Sequence, residues 1–186
     1  MVKSNYTDAH KHMMRNVFLN VELDLNDEVN EIAEYDIQYR IFQYFKIRQN
    51  RYNIINATRE QENRTDIIVN LVGGEKAYIE AKSYFKEHEK IRKRDIDHDI
   101  KKLYLKAITP NTCTYFIIAG LREKFSLDQI EEFEFIKLKV EDKKSKKNSI
   151  YEIDFAGETK SVTVRPSICE SKGRSYLWSW EIIAIQ

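Results

Sequence analysis

Residues 65–82 read TDIIVNLVGGEKAYIEAK, and the rest of the chain is best interpreted outward from them. Two apolar runs, Thr65 to Val72 and Lys76 to Lys82, flank Gly73-Gly74, a pair typical of a tight β-hairpin turn. Every second residue of both runs is apolar, which is the period of a strand with one face against a core. The pattern predicts a hairpin whose core face consists of Ile67, Val69, Leu71, Ala77, Ile79 and Ala81.

The opposite face of this hairpin carries charged side chains. A three-residue connection at 73–75 would place Asp66 opposite Lys82, and Glu80 lies two residues before Lys82 on the same face. Two carboxylates and one ammonium group are therefore expected in one cross-strand neighbourhood. An exposed sheet face with a cross-strand ion pair is the alternative interpretation of the same residues.

The flanking sequence predicts helices and further strands. Apolar residues at helical spacing over 27–45, after Asn26 as a possible N-cap, predict a first helix, and the pattern recurs over 95–108 before Pro110. A short helix is expected at 126–133, and strands are expected at 51–58, 113–120, 134–140, 150–155, 161–165 and 176–185. The order is helix, three strands, helix, strand, and then a β-rich C-terminal part.

Composition excludes several classes of protein. The 186 residues have a net charge of +1, 42% hydrophobic residues and 12% aromatic residues, values that indicate a folded domain rather than a disordered chain. No apolar run is long enough to span a membrane and no signal peptide is visible, so a cytoplasmic protein is expected. The spacing of Cys113 and Cys169 fits neither a disulfide framework nor a zinc site. Glycine-rich phosphate-binding motifs are lacking.

Asp66, followed by Glu80-Ala81-Lys82 at the end of a hairpin between two helices, resembles the PD-(D/E)XK nuclease superfamily. That family includes many type II restriction endonucleases, Holliday-junction resolvases and repair exonucleases. The resemblance implies an α/β fold with a restriction-endonuclease-like αβββαβ core and a mixed central sheet. In a single domain of residues 1–186, this core would cover residues 27–120, and residues 121–186 would form a β-rich C-terminal extension. One departure is Thr65, where the family name has proline.

The three-residue string [DE]-x-K is by itself a poor guide in so charged a chain. It occurs six times, starting at Glu80, Asp99, Glu141, Asp142, Glu158 and Glu170. Of these, Glu80 is the one that ends a strand with alternating apolar residues and has an aspartate at the matching end of the partner strand. Context therefore selects Glu80 and Lys82.

The resemblance also implies roles for individual residues. Asp66, Glu80 and the backbone carbonyl of Ala81 would be ligands of Mg²⁺, with Mn²⁺ as a substitute, because hard divalent cations prefer oxygen ligands. Lys82 would orient or deprotonate the attacking water, or stabilise the charge on the phosphate. A fourth acidic residue is expected on the first helix. Glu34 lies on the flank of the apolar stripe and Glu31 close to its opposite side, so Glu34 is preferred, with a solvated helix flank as the alternative.

Basic residues after the hairpin are candidates for contacts with the phosphate backbone. A charged loop without such a role is the alternative. The candidates on this segment and on the second helix are Lys86, Lys90, Arg92, Lys93, Arg94, Lys101 and Lys102.

Two other groups of residues have plainer interpretations. Tyr176, Trp178 and Trp180 alternate along a strand and are expected in the core rather than on a base-stacking or dimer surface. His10 and His12 fall near a terminus that is expected to fray, and metal binding by histidine is not expected.

The function expected from this sequence is divalent-metal-dependent hydrolysis of phosphodiester bonds in DNA by a restriction-type or structure-specific endonuclease. Such an enzyme would act as a homodimer, because one active site cuts one strand. Two alternatives stay open. One is a catalytically inactive nucleic-acid-binding or scaffold protein with the same fold, and the other is a relative that cleaves RNA.

Overall fold

Seven strands in one sheet organise the computed structural model, which describes residues 10–13, 15–16, 34–61, 65–84, 92–121, 133–141, 146–155, 157–172 and 175–185. The helices are α1 (Glu34–Ile47), α2 (Lys93–Ala107) and α3 (Glu134–Glu141), with a 3₁₀ turn at Gln49–Arg51. The strands are β1 (Ile54–Gln61), β2 (Thr65–Leu71), β3 (Lys76–Tyr84), β4 (Thr112–Leu121), β5 (Ser149–Phe155), β6 (Glu158–Lys172) and β7 (Ser175–Ala184).

The strand order across the sheet is β1-β2-β3-β4-β7-β6-β5. Strands β3 and β4 are parallel and are joined through α2, whereas all other neighbouring strands are antiparallel. The prediction of an α/β fold with a mixed sheet is therefore confirmed. The C-terminal strands extend the same sheet, because β7 pairs directly with β4.

The central hairpin forms where it was predicted, but its register differs by two residues. Leu71 N–H donates to the Glu75 carbonyl oxygen, so the connection is 72–74 rather than 73–75. Ile67 pairs with Ile79, which places Asp66 opposite Glu80 and not opposite Lys82. Gly73 and Gly74 have φ values of 101° and 81°, a conformation that glycine adopts without steric cost. A shift of two residues leaves every side chain on its predicted face.

Both faces of the sheet are covered by helices. On one face, α1 packs over the predicted core residues of the hairpin, including Ile67, Val69 and Ile79, which confirms that assignment. On the other face, Ile96, Ile100 and Leu103 of α2 pack with Ile68 and Tyr78. The face that carries Asp66 and Glu80 is therefore buried, and the alternative of an exposed sheet face is wrong.

One predicted element has the wrong type. Residues 134–140 were expected to be a strand, but Glu134–Glu141 is α3. Phe133 and Ile136 are buried and lie three residues apart, and the amides of Ile136 and Lys137 donate to the Phe133 carbonyl oxygen. The apolar residues of this segment fit a helical spacing as well as an alternating one.

Other predicted elements differ from the structure mainly in their bounds. Strand β6 is longer than the predicted 161–165 and continues through an irregularity between Pro166 and Ile168. Residues 126–132 of the predicted helix at 126–133, and residues 27–33 of the predicted helix over 27–45, lie outside the described residues. Among the described residues, no helix has the length and apolar character needed to cross a membrane.

The N-terminal segment packs against the sheet, contrary to the expectation of a frayed end. Residues 10–13 are helical, and His10 and Met13 are buried. The His10 ring lies 4.4 Å from the Tyr115 ring of β4, and its Nε2 lies 3.2 Å from Ser179 Oγ of β7.

Candidate active site

Six charged side chains meet where β2 begins, β3 ends and the first residue of α1 approaches α2. Four of them were predicted to lie together, namely Glu34, Asp66, Glu80 and Lys82. The structure adds Asp99 and Lys102 of α2. We call these six residues the carboxylate–lysine cluster.

Lys82 links the two helices across the end of the sheet. Its Nζ lies 3.2 Å from Glu34 Oε1 of α1 and 3.0 Å from Asp99 Oδ2 of α2. Gln38, one turn along α1, donates from Nε2 to the same Glu34 oxygen over 3.4 Å. These contacts hold the Lys82 ammonium group at one position between two carboxylates.

Lys102 is the second cation of the cluster. Its Nζ lies 2.9 Å from Glu80 Oε2 and 3.2 Å from Asp99 Oδ1. Asp99 therefore contacts both lysines, one with each oxygen. The contact with Lys102 follows from helix geometry, because Asp99 and Lys102 are three residues apart on α2 and share a helix face. The contact with Lys82 joins α2 to the end of β3.

Asp66 is held by the backbone of the neighbouring strand. The Ala81 amide donates to Asp66 Oδ2 over 2.8 Å. Asp66 is nearly buried, at 9% exposure, and Glu80 is completely buried, at 0%. Within the described part of the chain, Glu80 Oε1 has no hydrogen-bond partner, although buried carboxylate oxygens are normally satisfied.

Burial dominates the ionisation of the carboxylates. It raises the pKa of Glu80 to about 9, with repulsion from Asp66 and Asp99 adding to the effect and Lys102 opposing it. Burial also raises the pKa of Asp66, although the hydrogen bond from the Ala81 amide opposes this shift. It raises the pKa of Glu34 as well, although the positive charge of Lys82 opposes that shift. Burial alone lowers the pKa of Lys82, but Asp99 and Glu34 together outweigh it, so the pKa of Lys82 is raised.

The cluster has more negative than positive groups. Four carboxylates face two ammonium groups, so the fully ionised cluster carries a formal charge of 2 − 4 = −2. An uncompensated buried charge is costly, and the raised pKa of Glu80 relieves part of it by protonation near neutral pH. A divalent cation that displaced this proton would supply the compensation instead. The donor set, carboxylate oxygens with one oxygen unpartnered, is of the type that Mg²⁺ and Mn²⁺ prefer.

No group of three or more His, Cys, Asp or Glu side chains within the described ranges is arranged as a ready-made metal site. The carboxylates are instead turned toward Lys82, Lys102 and the Ala81 amide. Binding of a cation would therefore require some carboxylate oxygens to exchange their present partners.

The predicted phosphate-contacting residues have different positions. Lys86 and Lys90 lie outside the described residues. Arg92, Lys93 and Arg94 are exposed at the start of α2, and Arg94 Nε lies 3.4 Å from the Asp95 carboxylate. Lys101 is half-buried, whereas Lys102 turns inward to the cluster.

Sequence reasoning missed Asp99 and Lys102 as members of the site. Asp99 stood out only as part of a [DE]-x-K string inside a predicted helix, and Lys102 only as a basic residue. The signal that could have found them is the apolar face of α2, which Ile96, Ile100 and Leu103 define. Asp99 lies beside Ile100 on the flank of that face, so the helical pattern predicts that its carboxylate points toward the sheet.

Comparison of this chain with protein-family models, curated proteins and solved structures finds no match.

Proposed function

We propose that this chain is a divalent-metal-dependent nuclease that hydrolyses phosphodiester bonds in DNA, with a restriction-endonuclease-like core. The observation that carries the proposal is the carboxylate–lysine cluster, in which Glu80 is completely buried with one unpartnered oxygen beside an excess of carboxylates. A purely structural cluster would be expected to balance its buried charges. The order α1-β1-β2-β3-α2-β4 agrees with the proposed core.

Mg²⁺, or Mn²⁺ in its place, would be held by Asp66, Glu80, Glu34 and the backbone carbonyl of Ala81. When bound, such an ion supplies Lewis-acid stabilisation of the phosphate and lowers the pKa of a coordinated water. The two strands keep these groups together without help from the ion, because the Ala81 amide already fixes Asp66 beside Glu80.

Lys82 has the clearest role among the side chains of the chain. Its ammonium group is fixed between Glu34 and Asp99, and these ion pairs favour the protonated form. We therefore assign it to stabilising the charge that develops on the scissile phosphate, and to orienting the attacking water, rather than to removing a proton. Asp99 and Lys102 act as positioning residues, since they contact Lys82 and Glu80 respectively.

Cleavage of both strands of a duplex would require two copies of the chain, because one cluster serves one strand. A homodimer with an isologous interface is the simplest assembly that supplies two clusters. The exposed residues Arg92, Lys93 and Arg94 at the start of α2, together with Lys101, are proposed to contact the phosphate backbone.

A nucleic-acid-binding protein without catalysis is the second candidate. The observation in its favour is that both lysines already pair with carboxylates at 2.9 to 3.2 Å, so part of the buried charge is neutralised by the protein itself. Such a protein would bind nucleic acid in a salt-dependent manner and would be indifferent to a chelator.

The test compares the parent protein with Lys82→Ala on supercoiled plasmid, linear duplex DNA, single-stranded DNA and RNA. Each substrate is incubated with Mg²⁺, Mn²⁺ or EDTA. Lys160→Ala is the matched control, because Lys160 is a partly exposed lysine on β6 that pairs with Glu158. Unchanged thermal unfolding of both variants, followed by circular dichroism, ensures that a loss of activity is not a loss of the fold.

We expect metal-dependent cleavage by the parent and the control, and a loss of at least about 100-fold in Lys82→Ala, the order expected for a positioned charged group. Discrete products would indicate a restriction-type enzyme. Absence of cleavage on every substrate with Mn²⁺ present, while binding persists in EDTA, would contradict the nuclease and support the binding protein.

A further inference from the structure

Two exposed tyrosines lie on the first turns of α1, and one of them directly follows Glu34 of the carboxylate–lysine cluster. Tyr35, which follows Glu34, is 59% exposed, and Tyr39, one turn later, is 45% exposed. Their rings are parallel within 3°, with centroids 6.5 Å apart. The two side chains form an aromatic surface at the edge of the proposed active site.

A cation belongs to the same surface. The guanidinium carbon of Arg59, on β1, lies 4.2 Å from the Tyr35 ring centroid and 5.9 Å from the Tyr39 ring centroid. The Nε and Nη2 atoms of Arg59 are buried, so its guanidinium group packs against the rings through cation–π contacts and holds them in position.

The surface continues as a groove along α1. This groove has a volume of about 180 Å³ and is lined by Tyr39, Arg40, Gln43, Ile47 and Arg48, together with Asn16. The Arg48 guanidinium carbon lies 4.5 Å from the Tyr44 ring centroid. From Tyr39 to Arg51 the sequence has four basic residues and no acidic residue. The groove is therefore suited to an anionic ligand.

The dimensions suit a short length of nucleic acid. Tyr35, Tyr39, Gln43 and Ile47 follow one another at four-residue intervals, so at about 1.5 Å per residue the row is roughly 18 Å long. Because about 3.4 Å per nucleotide is the spacing of bases stacked on one another, roughly five nucleotides is the upper limit, and fewer fit when bases stack on the tyrosine rings. We call Tyr35, Tyr39, Arg40, Arg48 and Arg59 the aromatic–basic strip.

We propose that the aromatic–basic strip binds an unpaired strand of nucleic acid that leads away from the carboxylate–lysine cluster. In a duplex, base faces are covered by neighbouring bases, so exposed tyrosine rings gain stacking contacts only with unpaired bases. The inference rests on the proposed function only for cleavage at the carboxylate–lysine cluster. Binding of an unpaired strand to the aromatic–basic strip does not require that cleavage. It assigns the substrate as DNA with a single-stranded portion, which favours a structure-specific over a restriction-type enzyme.

The experiment measures binding by fluorescence anisotropy in EDTA, where no cleavage can occur. The probes are a labelled 20-nucleotide single-stranded DNA, the single-stranded RNA of the same sequence, and the corresponding blunt duplex. The variants are Tyr35→Ala/Tyr39→Ala, Tyr35→Phe/Tyr39→Phe and Arg48→Ala. Ile150→Ala is the control, because Ile150 is 56% exposed on β5 at the opposite edge of the sheet.

We expect the parent to bind single strands more tightly than the duplex. The double alanine variant should lose about tenfold or more in affinity for single strands and less than about twofold for the duplex, while the double phenylalanine variant retains binding. Arg48→Ala should reduce the slope of log affinity against log salt by about 0.7 to 1. Single-stranded DNA should bind at least as tightly as the RNA of the same sequence, and a clear preference for RNA would contradict the assignment of the substrate as DNA.

An equal loss on duplex and single strands, no loss on single strands, or the same loss in Ile150→Ala would overturn the inference. If the tyrosines bind a protein partner instead of nucleic acid, the double alanine variant would show no loss of affinity for single strands. The cleavage assay with Lys82→Ala keeps the two proposals apart. If the tyrosines are needed for single-strand binding but the parent does not cleave, the aromatic–basic strip is supported and the nuclease is contradicted. If the parent cleaves and the tyrosine variants cleave equally well, the nuclease is supported and the strip is contradicted.

Discussion

The sheet face under α2 and α3 buries opposite kinds of side chain in its two halves. The half formed by β2 and β3 contains the carboxylate–lysine cluster. The half formed by β4 and β7 packs with the start of α3, and the rings there form what we call the aromatic block, namely Phe116, Phe133, Phe135, Trp178 and Trp180. Phe135 and Trp180 illustrate its packing, with centroids 5.1 Å apart and planes at 83°.

The two halves contribute differently to the stability of the protein. Burying large rings in edge-to-face contact stabilises a fold and involves no ionised group, although the Trp180 Nε1–H is itself buried without a hydrogen-bond partner among the described residues. Burying four carboxylates with two lysines requires each charge to find a partner, and Glu80 Oε1 has none among the described residues. If the cluster lowers stability, other parts of the fold must offset it, and the aromatic block is the expected source.

The largest expected effect comes from removing the centre of the aromatic block. Trp180→Ala should lower the free energy of unfolding by about 3–5 kcal/mol, because a completely buried ring leaves a cavity. Urea denaturation followed by circular dichroism measures this. Ile150→Ala, at an exposed site, should change the same quantity by less than about 0.5 kcal/mol. A loss below about 1 kcal/mol in Trp180→Ala would show that the block is not the main source of stability.

An intermediate effect is expected from a buried ionisable group outside the cluster. Burial lowers the pKa of His10 from its usual 6.5 to about 3. Below pH 6.5 the unfolded chain binds a proton that the folded chain does not, so stability is lost as the pH falls toward 3. Between pH 7 and pH 5 this loss is about 2 kcal/mol.

His10→Gln should remove that part of the pH dependence. The measurement is the free energy of unfolding of parent and variant at pH 7 and pH 5, and the difference between them isolates His10 from the cluster. Parallel pH profiles for the two proteins would mean that His10 is protonated or exposed in the folded state.

The smallest expected effect on stability comes from the cluster itself. Because the raised pKa of Glu80 favours its protonated form near neutral pH, Glu80→Gln keeps the shape and the charge of the side chain, and the free energy of unfolding should stay within about 1 kcal/mol of the parent. The rise in melting temperature on adding Mg²⁺ or Mn²⁺, which the parent should show, should disappear.

Thermal unfolding with and without the metal tests this, and Glu152→Gln is the matched control because Glu152 is an exposed carboxylate on β5. Strong destabilisation by Glu80→Gln without metal would mean that the carboxylate stabilises the fold through Lys102 and not through a metal. The contrast between the two halves of the sheet would then be wrong.

Much of the central fold could be predicted from local patterns. The hairpin has an alternating apolar pattern and α2 a helical one, and β4 is a short continuous apolar run of the length typical of a buried strand. Residues 134–141 carry apolar side chains that fit both periods, and their packing under the sheet, a tertiary effect, selects the helix. The hairpin register also needed tertiary information, because two registers that differ by two residues give the same faces.

The site could be predicted only where it follows the strands. Asp66, Glu80 and Lys82 share a face by alternation, and the helical wheel places Glu34 on the flank of α1. Asp99 and Lys102 come from a helix whose apolar face indicates which side approaches the sheet, but its position along the sheet is fixed by packing against Ile68 and Tyr78, which the local pattern does not reveal. The Tyr35–Tyr39–Arg59 contact likewise joins a helix to a strand on a separate part of the chain.

The position of β7 between β4 and β6 also affects how the protein is made. Strand β4 leaves the ribosome well before its partner β7, since residues 122–174 separate them in sequence. Until β7 is synthesised, one side of β4 has amide and carbonyl groups without strand partners, and such an edge pairs readily with other chains. Closure of the sheet therefore depends on a contact between distant residues, which slows folding. The nascent chain is most prone to aggregation in the interval before β7 docks.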